Sequence, residues 1–403
     1  MTKRSVDVAI AGGGLAGGLI ALAVARRHPR FDIALVEGGD RLGGKHRWSW
    51  FGSDVSAAGE GLIGEFPVTS WPGSYEVHFP AYRRTLRARY NSLASEDFAR
   101  TLERELNQGS ILTHRPVASL DAGGLSLADG ERINARHVID CRGLKDAPQL
   151  TGGWQVFLGQ EWQLDRPHGL VGPVIMDATV AQEGAYRFMY LLPLGPDRLF
   201  LEDTYYADTP RLDKAALRVR IADYVGEHGW SGRALDEETG VLPVISGGDF
   251  AAFQAAQRTP GVAVAGARGG FVHPLTSYTL PQAVRIANLV APAVDRGDVS
   301  LASLLESEAR RHWHATGFYR LLGQMLFGAA DPAERYRVFQ RFYRLSEPLI
   351  ERFYAARSTW PDRARVLAGK PPVRIARALQ AIASQSPPLV APSLVDRSEQ
   401  FHV

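Results

Sequence analysis

Three kinds of hydrophobic pattern divide the chain. Residues 6–10 form a nearly unbroken apolar run rich in Val and Ile, which predicts a strand buried on both faces of a parallel sheet. Residues 19–25 follow as an apolar helix, and residues 33–36 read as a second buried strand. Later, residues 186–194 and 198–206 are β-prone runs joined by Gly195-Pro196-Asp197, a composition suited to a turn. From about residue 301 the pattern becomes helical, with Tyr336, Phe339 and Tyr343 on one face and arginines beside them. That stripe suits either core packing or a membrane surface, where aromatic and basic side chains meet the headgroups. Residues 385–403 are polar and punctuated by proline, which predicts a flexible tail. No internal repeat is visible.

Between the first strand and the first helix stands Gly12-Gly13-Gly14-Leu15-Ala16-Gly17, a match to G-x-G-x-x-G. Gly12 would permit the tight turn, Gly14 would admit a pyrophosphate to the backbone, and Gly17 would let the helix lie close to the strand. Glu37 closes the second strand about 20 residues on, where an acid can accept from a ribose hydroxyl. A glycine-rich turn alone would say little. Strand, glycines, helix, strand and acid in this order point to dinucleotide binding.

Glu37, Arg41, Gly43 and Gly44 resemble the E-x(3)-R-x-G-G extension of FAD-dependent enzymes of the glutathione-reductase-like superfamily. Residues 137–143 and 262–270 resemble the later segments of that fold that return to the cofactor, which adds Gly266 and Gly270 to the expected flavin contacts. No second G-x-G-x-x-G follows a strand, so a separate NAD(P)H-binding domain is not expected. The fold class read here is α/β: a Rossmann-like FAD-binding domain of that superfamily, with a strand-rich substrate insertion and a helical C-terminal region. The FAD-binding domain is expected to be discontinuous, over 1–80, 110–150 and 255–300. Residues 81–109 and 151–254 would form the insertion with its antiparallel sheet, and 301–384 the helical, membrane-facing region.

Composition narrows the classes. With 403 residues, 45% hydrophobic and 22% charged, the chain is globular and long enough for more than one domain. A net charge of +3 gives no case for nucleic acid as a partner. The single cysteine, Cys141, excludes a disulfide framework, a CxxC redox pair and a cysteine-based zinc site, and no metal site is expected. The apolar stretch near the N-terminus superficially resembles a signal peptide, but spaced glycines interrupt it. No charge-free run of about 18 apolar residues occurs elsewhere. A cytoplasmic protein, soluble or peripheral on a membrane, is expected.

Further segments carry a more specific resemblance. Trp48-Ser49-Trp50, Gln160-Glu161-Trp162, Ile175-Met176-Asp177-Ala178-Thr179, Glu202-Asp203-Thr204-Tyr205-Tyr206, Phe271-Val272-His273-Pro274 and Tyr278-Thr279-Leu280-Pro281 are similar, in order, to the bacterial lycopene β-cyclases. The likeness runs from about residue 6 to about 384. Ser277 departs from it, standing where the family usually has glycine.

The resemblance implies non-redox isomerisation of lycopene via γ-carotene to β-carotene, with FAD in its reduced form and NAD(P)H as reductant. A buried acid protonates a terminal alkene, a neighbouring double bond attacks the cation, and the ring loses a proton. The resemblance makes Glu202 the acid/base, with Asp203 second. On a strand the two would point to opposite faces. Trp48, Trp50, Asp177, Tyr186, Phe188, His273 and Tyr278 are the candidate substrate residues, though core packing or a structural role is open for each. Implied partners are lycopene and γ-carotene, a membrane surface and other enzymes of carotenoid synthesis. Two other readings stand beside this one: an FAD-dependent monooxygenase of a lipophilic substrate, and an inactive carotenoid-binding flavoprotein.

Overall fold

The computed structural model describes residues 4–144, 146–297, 300–369, 373–384 and 386–390. A first sheet forms around the strand Arg4–Ala11, which pairs in parallel with Ile33–Val36 on one side and Arg132–Asp140 on the other. Residues 8–11, 33–36 and 138–139 are apolar and buried where helices cover the sheet. The helix Leu15–Arg27 buries Leu19, Ile20 and Leu22 and packs against the helix Leu280–Ala293. A Cβ on Gly17 would lie 2.0 Å from the Gly12 carbonyl oxygen, so only glycine lets this helix start so near the strand end. The antiparallel strands Gly124–Leu127 and Val117–Asp121 extend one edge, and Ala263–Val264 returns in parallel to Arg132–Asp140.

A second, larger sheet runs in the order Gly232–Gly248, Ala147–Leu164, Arg198–Ala207, Tyr186–Pro193, Val174–Asp177, Tyr75–Phe79 and Tyr82–Leu86. Tyr75–Phe79, read in the sequence with the first segment, pairs here instead, in parallel with Val174–Asp177. The two β-prone runs form the expected hairpin, with Leu194 N–H donating to Arg198 O at 2.9 Å. Alternation divides the sheet faces. Leu199, Leu201 and Tyr205 pack with Leu217, Ile221 and Tyr224 of the helix Lys214–Glu227. Phe200 and Tyr206 point the other way, into a second core.

A three-stranded sheet of Arg47–Phe51, Tyr90–Ala94 and Thr69–Trp71 lies between these layers. The helix Ser95–Glu105, from a segment expected in the insertion, packs its Phe98 and Leu102 against Gly18 of the first helix.

The helical region covers the inner face of the second sheet. The aromatic stripe seen in the sequence belongs to the interior: Tyr343 is fully buried and Phe339 stacks on Tyr186 at 4.3 Å. The exposed apolar side chains are others, namely Trp360 (80% exposed), Leu367, Leu379 and Ile382. The tail expectation also changes in part. Pro388–Leu389 pairs with Ala147–Leu164 and Leu389 is buried, because an apolar side chain there fills the sheet edge. Residues 385 and 391–403 of that stretch lie outside the described residues.

Candidate active site

One cavity of about 1420 Å³ runs from the glycine turn to the helical region. That exceeds the 300–1,000 Å³ typical of a single-ligand site, so it has room for a cofactor and a second molecule. Its first end is lined by Gly12, Gly14, Glu37, Arg41, Gly43 and Gly44. Gly12, Gly43 and Gly44 have φ of +100°, +73° and +62°, the left-handed region that glycine enters without strain. A Cβ on Gly14 would meet nothing within 4 Å. Gly14 also begins the first helix with no side-chain cap, leaving the amide end of that helix to a ligand. Glu37 accepts from Gly13 N–H and Gly39 N–H, both at 2.7 Å, which fixes its carboxylate at the cavity wall. Empty space beside Gly14, a free helix end and an anchored acid fit a dinucleotide.

Gly266, with φ +63°, lines the same space. Gly270 does not: its left-handed turn packs against Phe250, 2.8 Å from where a Cβ would stand, so it shapes the loop rather than touching a ligand. Gly17 is likewise a packing residue, as its motif position implies.

The other end is apolar, with Phe157, Phe188, Tyr206, Phe339 and Phe353 in its wall. Glu202 projects into it from the strand Arg198–Ala207. Burial pushes its carboxyl up to about 7; the charge of Asp203 adds to this, and a 2.5 Å hydrogen bond from Thr204 Oγ1 opposes it. A carboxyl raised to about 7 thus faces an aromatic-lined space.

Asp203 points to the opposite face, as alternation requires. Arg187 holds it through two bonds, at 2.8 and 3.1 Å, against the helix-covered side of the sheet, so it does not reach the cavity. Four more candidates are corrected. Asp177 lies on that same far face, accepting from Tyr224 Oη at 2.7 Å and Thr179 Oγ1 at 2.6 Å. Trp50 is in the first core, outside the cavity wall, because the core takes the inner end of its strand. Tyr186 sits behind Phe188, sandwiched by Phe339 with its hydroxyl on Met176. His273 pins its own turn: Nδ1 accepts from the Leu275 and Thr276 amides and Nε2 meets the Phe353 carbonyl. Burial drives its pKa down to about 3, so it stays neutral.

Trp48, Phe188 and Tyr278 do line the cavity. Tyr278 begins a hydroxyl chain that pattern reading missed. It runs from Tyr278 to Tyr90 (2.9 Å), to Tyr190 (3.0 Å) and on to Ser49 (2.8 Å). Glu238 was missed as well. It lies in a run of three acids, Asp236 to Glu238, which reads as a solvated strand face. Asp236 and Glu237 do meet surface cations, Lys45 and Arg218, but Glu238 faces the cavity. Alternation along its strand separates it from Glu237 but not from Asp236, two residues back on the same face.

Residues 7–380 match the family model described as lycopene cyclase protein. The chain belongs to the lycopene cyclase family. It is 44% identical to a lycopene beta-cyclase of Pseudescherichia vulneris, over 94% of this chain and 98% of that one. It is 42% identical to a lycopene beta-cyclase of Pantoea ananas, over 93% and 97%. Among solved structures, this lycopene cyclase family member resembles p-nitrophenol 4-monooxygenase from Pseudomonas putida (TM-score 0.61, 13% identity, 88% of this chain and 99% of that one). It also resembles a flavin-dependent brominase (TM-score 0.56, 13% identity, 90% and 97%). At such identities the likeness is one of fold alone, a Rossmann-like α/β architecture.

Proposed function

We propose that the chain closes the terminal rings of lycopene, through γ-carotene to β-carotene, by acid catalysis in this cavity. The observation that carries the reading is Glu202: a buried carboxyl with its proton held to about pH 7, in an aromatic chamber continuous with a dinucleotide cleft. Protonation of an alkene needs an acid shielded from water, and the cation that forms must meet neither water nor a nucleophile. Aromatic faces such as Phe188 and Tyr206 stabilise positive charge without bonding to it. The Tyr278–Tyr90–Tyr190 hydroxyls are kept neutral by burial and fix the wall around the reacting end.

FAD is the dinucleotide that this reading assigns to the cleft of Gly12, Gly14, Glu37, Gly43 and Gly44. Reduced by NAD(P)H, it would supply negative charge beside a cationic intermediate without net oxidation of the substrate.

Access to a hydrocarbon substrate comes from the helical region. Val366, Leu367, Leu379 and Ile382 line the cavity while Leu367, Leu379 and Ile382 are also exposed at the surface, with Arg365, Arg374 and Arg377 exposed nearby. This apolar, arginine-flanked mouth is the membrane-docking face in our reading, on the cytoplasmic side, where neighbouring carotenoid enzymes would pass on substrate. Among the described residues no helix is long and apolar enough to cross a membrane.

The reading is tested with lycopene in liposomes, anaerobically, with FAD and dithionite and no NAD(P)H. Bicyclic product is expected. A monooxygenase would form product only with oxygen and continuous NAD(P)H, and a binding protein would leave the pigment unchanged; either result overturns it.

A further inference from the structure

The strand Ala147–Leu164 lies between Arg198–Ala207 and Gly232–Gly248, and Gly159 is its residue opposite both glutamates: Glu202 on one side, Glu238 on the other. Residues directly opposite across a sheet point to the same face, so both side chains rise on the cavity side. Neighbouring strands are about 4.8 Å apart, which puts the two glutamate backbones about 10 Å from each other. The position between them carries no side chain. A Cβ on Gly159 would strike the Phe200 ring at 2.4 Å and crowd Glu238 Cγ at 3.3 Å. The Phe200 ring takes the room that the glycine leaves, and both glutamates line the same cavity beside it.

Other charges around the pair have partners elsewhere. Glu161, two residues along from Gly159, is held by Arg47 and Arg198. Glu237 is turned away to Arg218 and Gln160, and Asp203 to Arg187 on the far face. Arg47 and Glu96 act on Glu238 with opposite signs, and Tyr190 and Thr204 face Glu202. Glu238 has its proton affinity pushed well up, first by burial and then by Glu202. Glu238 is half-buried and lines the cavity.

Resting on the ring-closure reading, we infer that Glu202 and Glu238 form a two-carboxyl pair across Gly159 that holds a single proton, which rests on Glu238 and passes to Glu202, Glu202 then giving it to the terminal alkene and Glu238, ionised by that transfer, taking the proton that the ring loses. In the first step the Glu202 O–H bond breaks as a C–H bond forms at the alkene, leaving a tertiary cation. The electron pair of the neighbouring double bond then forms the ring C–C bond. Finally a C–H bond next to the new cation breaks. Its electrons become the ring double bond, and its proton goes to Glu238. The pair ends with one proton, as it began, and no oxidant or reductant enters. Two like carboxyls in one dry space cannot both ionise readily, which is why such a pair offers an acid and a base at the same pH. The protonated and deprotonated carbons flank the same ring carbon, so groups converging from two strands can serve both.

The test uses the full chain with lycopene liposomes, FAD and dithionite, comparing wild type, Glu238→Gln and Glu238→Asp for product identity and for rate from pH 5 to 9. Wild type is expected to show a bell, failing when both carboxyls are protonated and when both are ionised. Glu238→Gln is expected to lose rate about 100-fold and to yield products whose ring double bond is displaced. Its low-pH limb should vanish, and its high-pH limb should move to lower pH because Glu202 loses a negative neighbour. Glu238→Asp should restore the bell in part, and it reads the same limb if the Gln variant does not fold. A Glu238→Gln rate within threefold of wild type, or a slower rate with unchanged products and pH profile, overturns the inference and leaves the function intact. Absence of cyclic product from wild type would instead overturn the function.

Discussion

Glu202 joins burial to chemistry, and the same burial has a measurable cost. Its pKa is near 7 in the folded chain and about 4.5 when unfolded, so the folded state binds the proton more tightly. That contribution to stability is present below the unfolded value and is lost as pH rises toward 7 and beyond, amounting to about 3 kcal/mol over the interval. Glu202→Gln, which carries no charge, should therefore raise Tm relative to wild type at pH 8 and much less at pH 5; equal shifts at both pH values would refute the assignment. Ser277 offers a second check. Its φ of +58° is a left-handed conformation that costs a non-glycine residue about 1 kcal/mol, and its hydroxyl donates to Pro243 O at 2.9 Å. Ser277→Ala loses the bond and keeps the strain, whereas Ser277→Gly loses both. Chemical unfolding should find the Ala variant less stable by about 1 kcal/mol. Among the candidate residues, those whose job follows from backbone geometry, such as Gly12 and Gly17, were readable from motif spacing. His273 and Asp177 were not, because a polar residue in a family-like motif reads alike whether it faces a substrate or pins a buried turn.

At the scale of elements, the first helix shows why the motif glycines are not equivalent. Gly17 touches the Gly12 carbonyl through space that no Cβ can enter, and Gly14 borders open cavity. Gly17→Ala should cost several kcal/mol through a displaced helix, seen as a lowered unfolding midpoint. Gly14→Ala should leave the midpoint of the flavin-free protein within about 0.5 kcal/mol and weaken flavin binding at least tenfold, measured by fluorescence titration. Equal losses of stability would contradict this division. The first strands, the glycine turn and the hairpin at Gly195-Pro196-Asp197 were legible because each has a local cause in composition. The pairing of Tyr75–Phe79 with Val174–Asp177 was not, since parallel strands far apart in sequence leave no short-range signal. The stripe of Tyr336, Phe339 and Tyr343 was legible as a face, but periodicity does not say whether a face meets lipid or core.

For the whole molecule, one cavity joins the cleft at the glycine turn to an apolar mouth, and Glu202 lines it. On the proposed reading, a hydrocarbon enters by that mouth without crossing water. Replacing Trp360, Leu379 and Ile382 together with serine should reduce sedimentation with anionic liposomes at least tenfold. Turnover of lycopene dissolved in detergent should change far less; unaltered liposome binding would move the docking face elsewhere. The account as a whole depends on a proton delivered by Glu202 inside that enclosure. Its most direct test is the rate of lycopene cyclisation by Glu202→Gln and wild type, anaerobically with dithionite-reduced FAD, across pH 6 to 9. Wild type should form cyclic product and lose rate above about pH 7, while a folded, flavin-binding Glu202→Gln forms none. Cyclic product from Glu202→Gln at a rate near that of wild type would contradict the account.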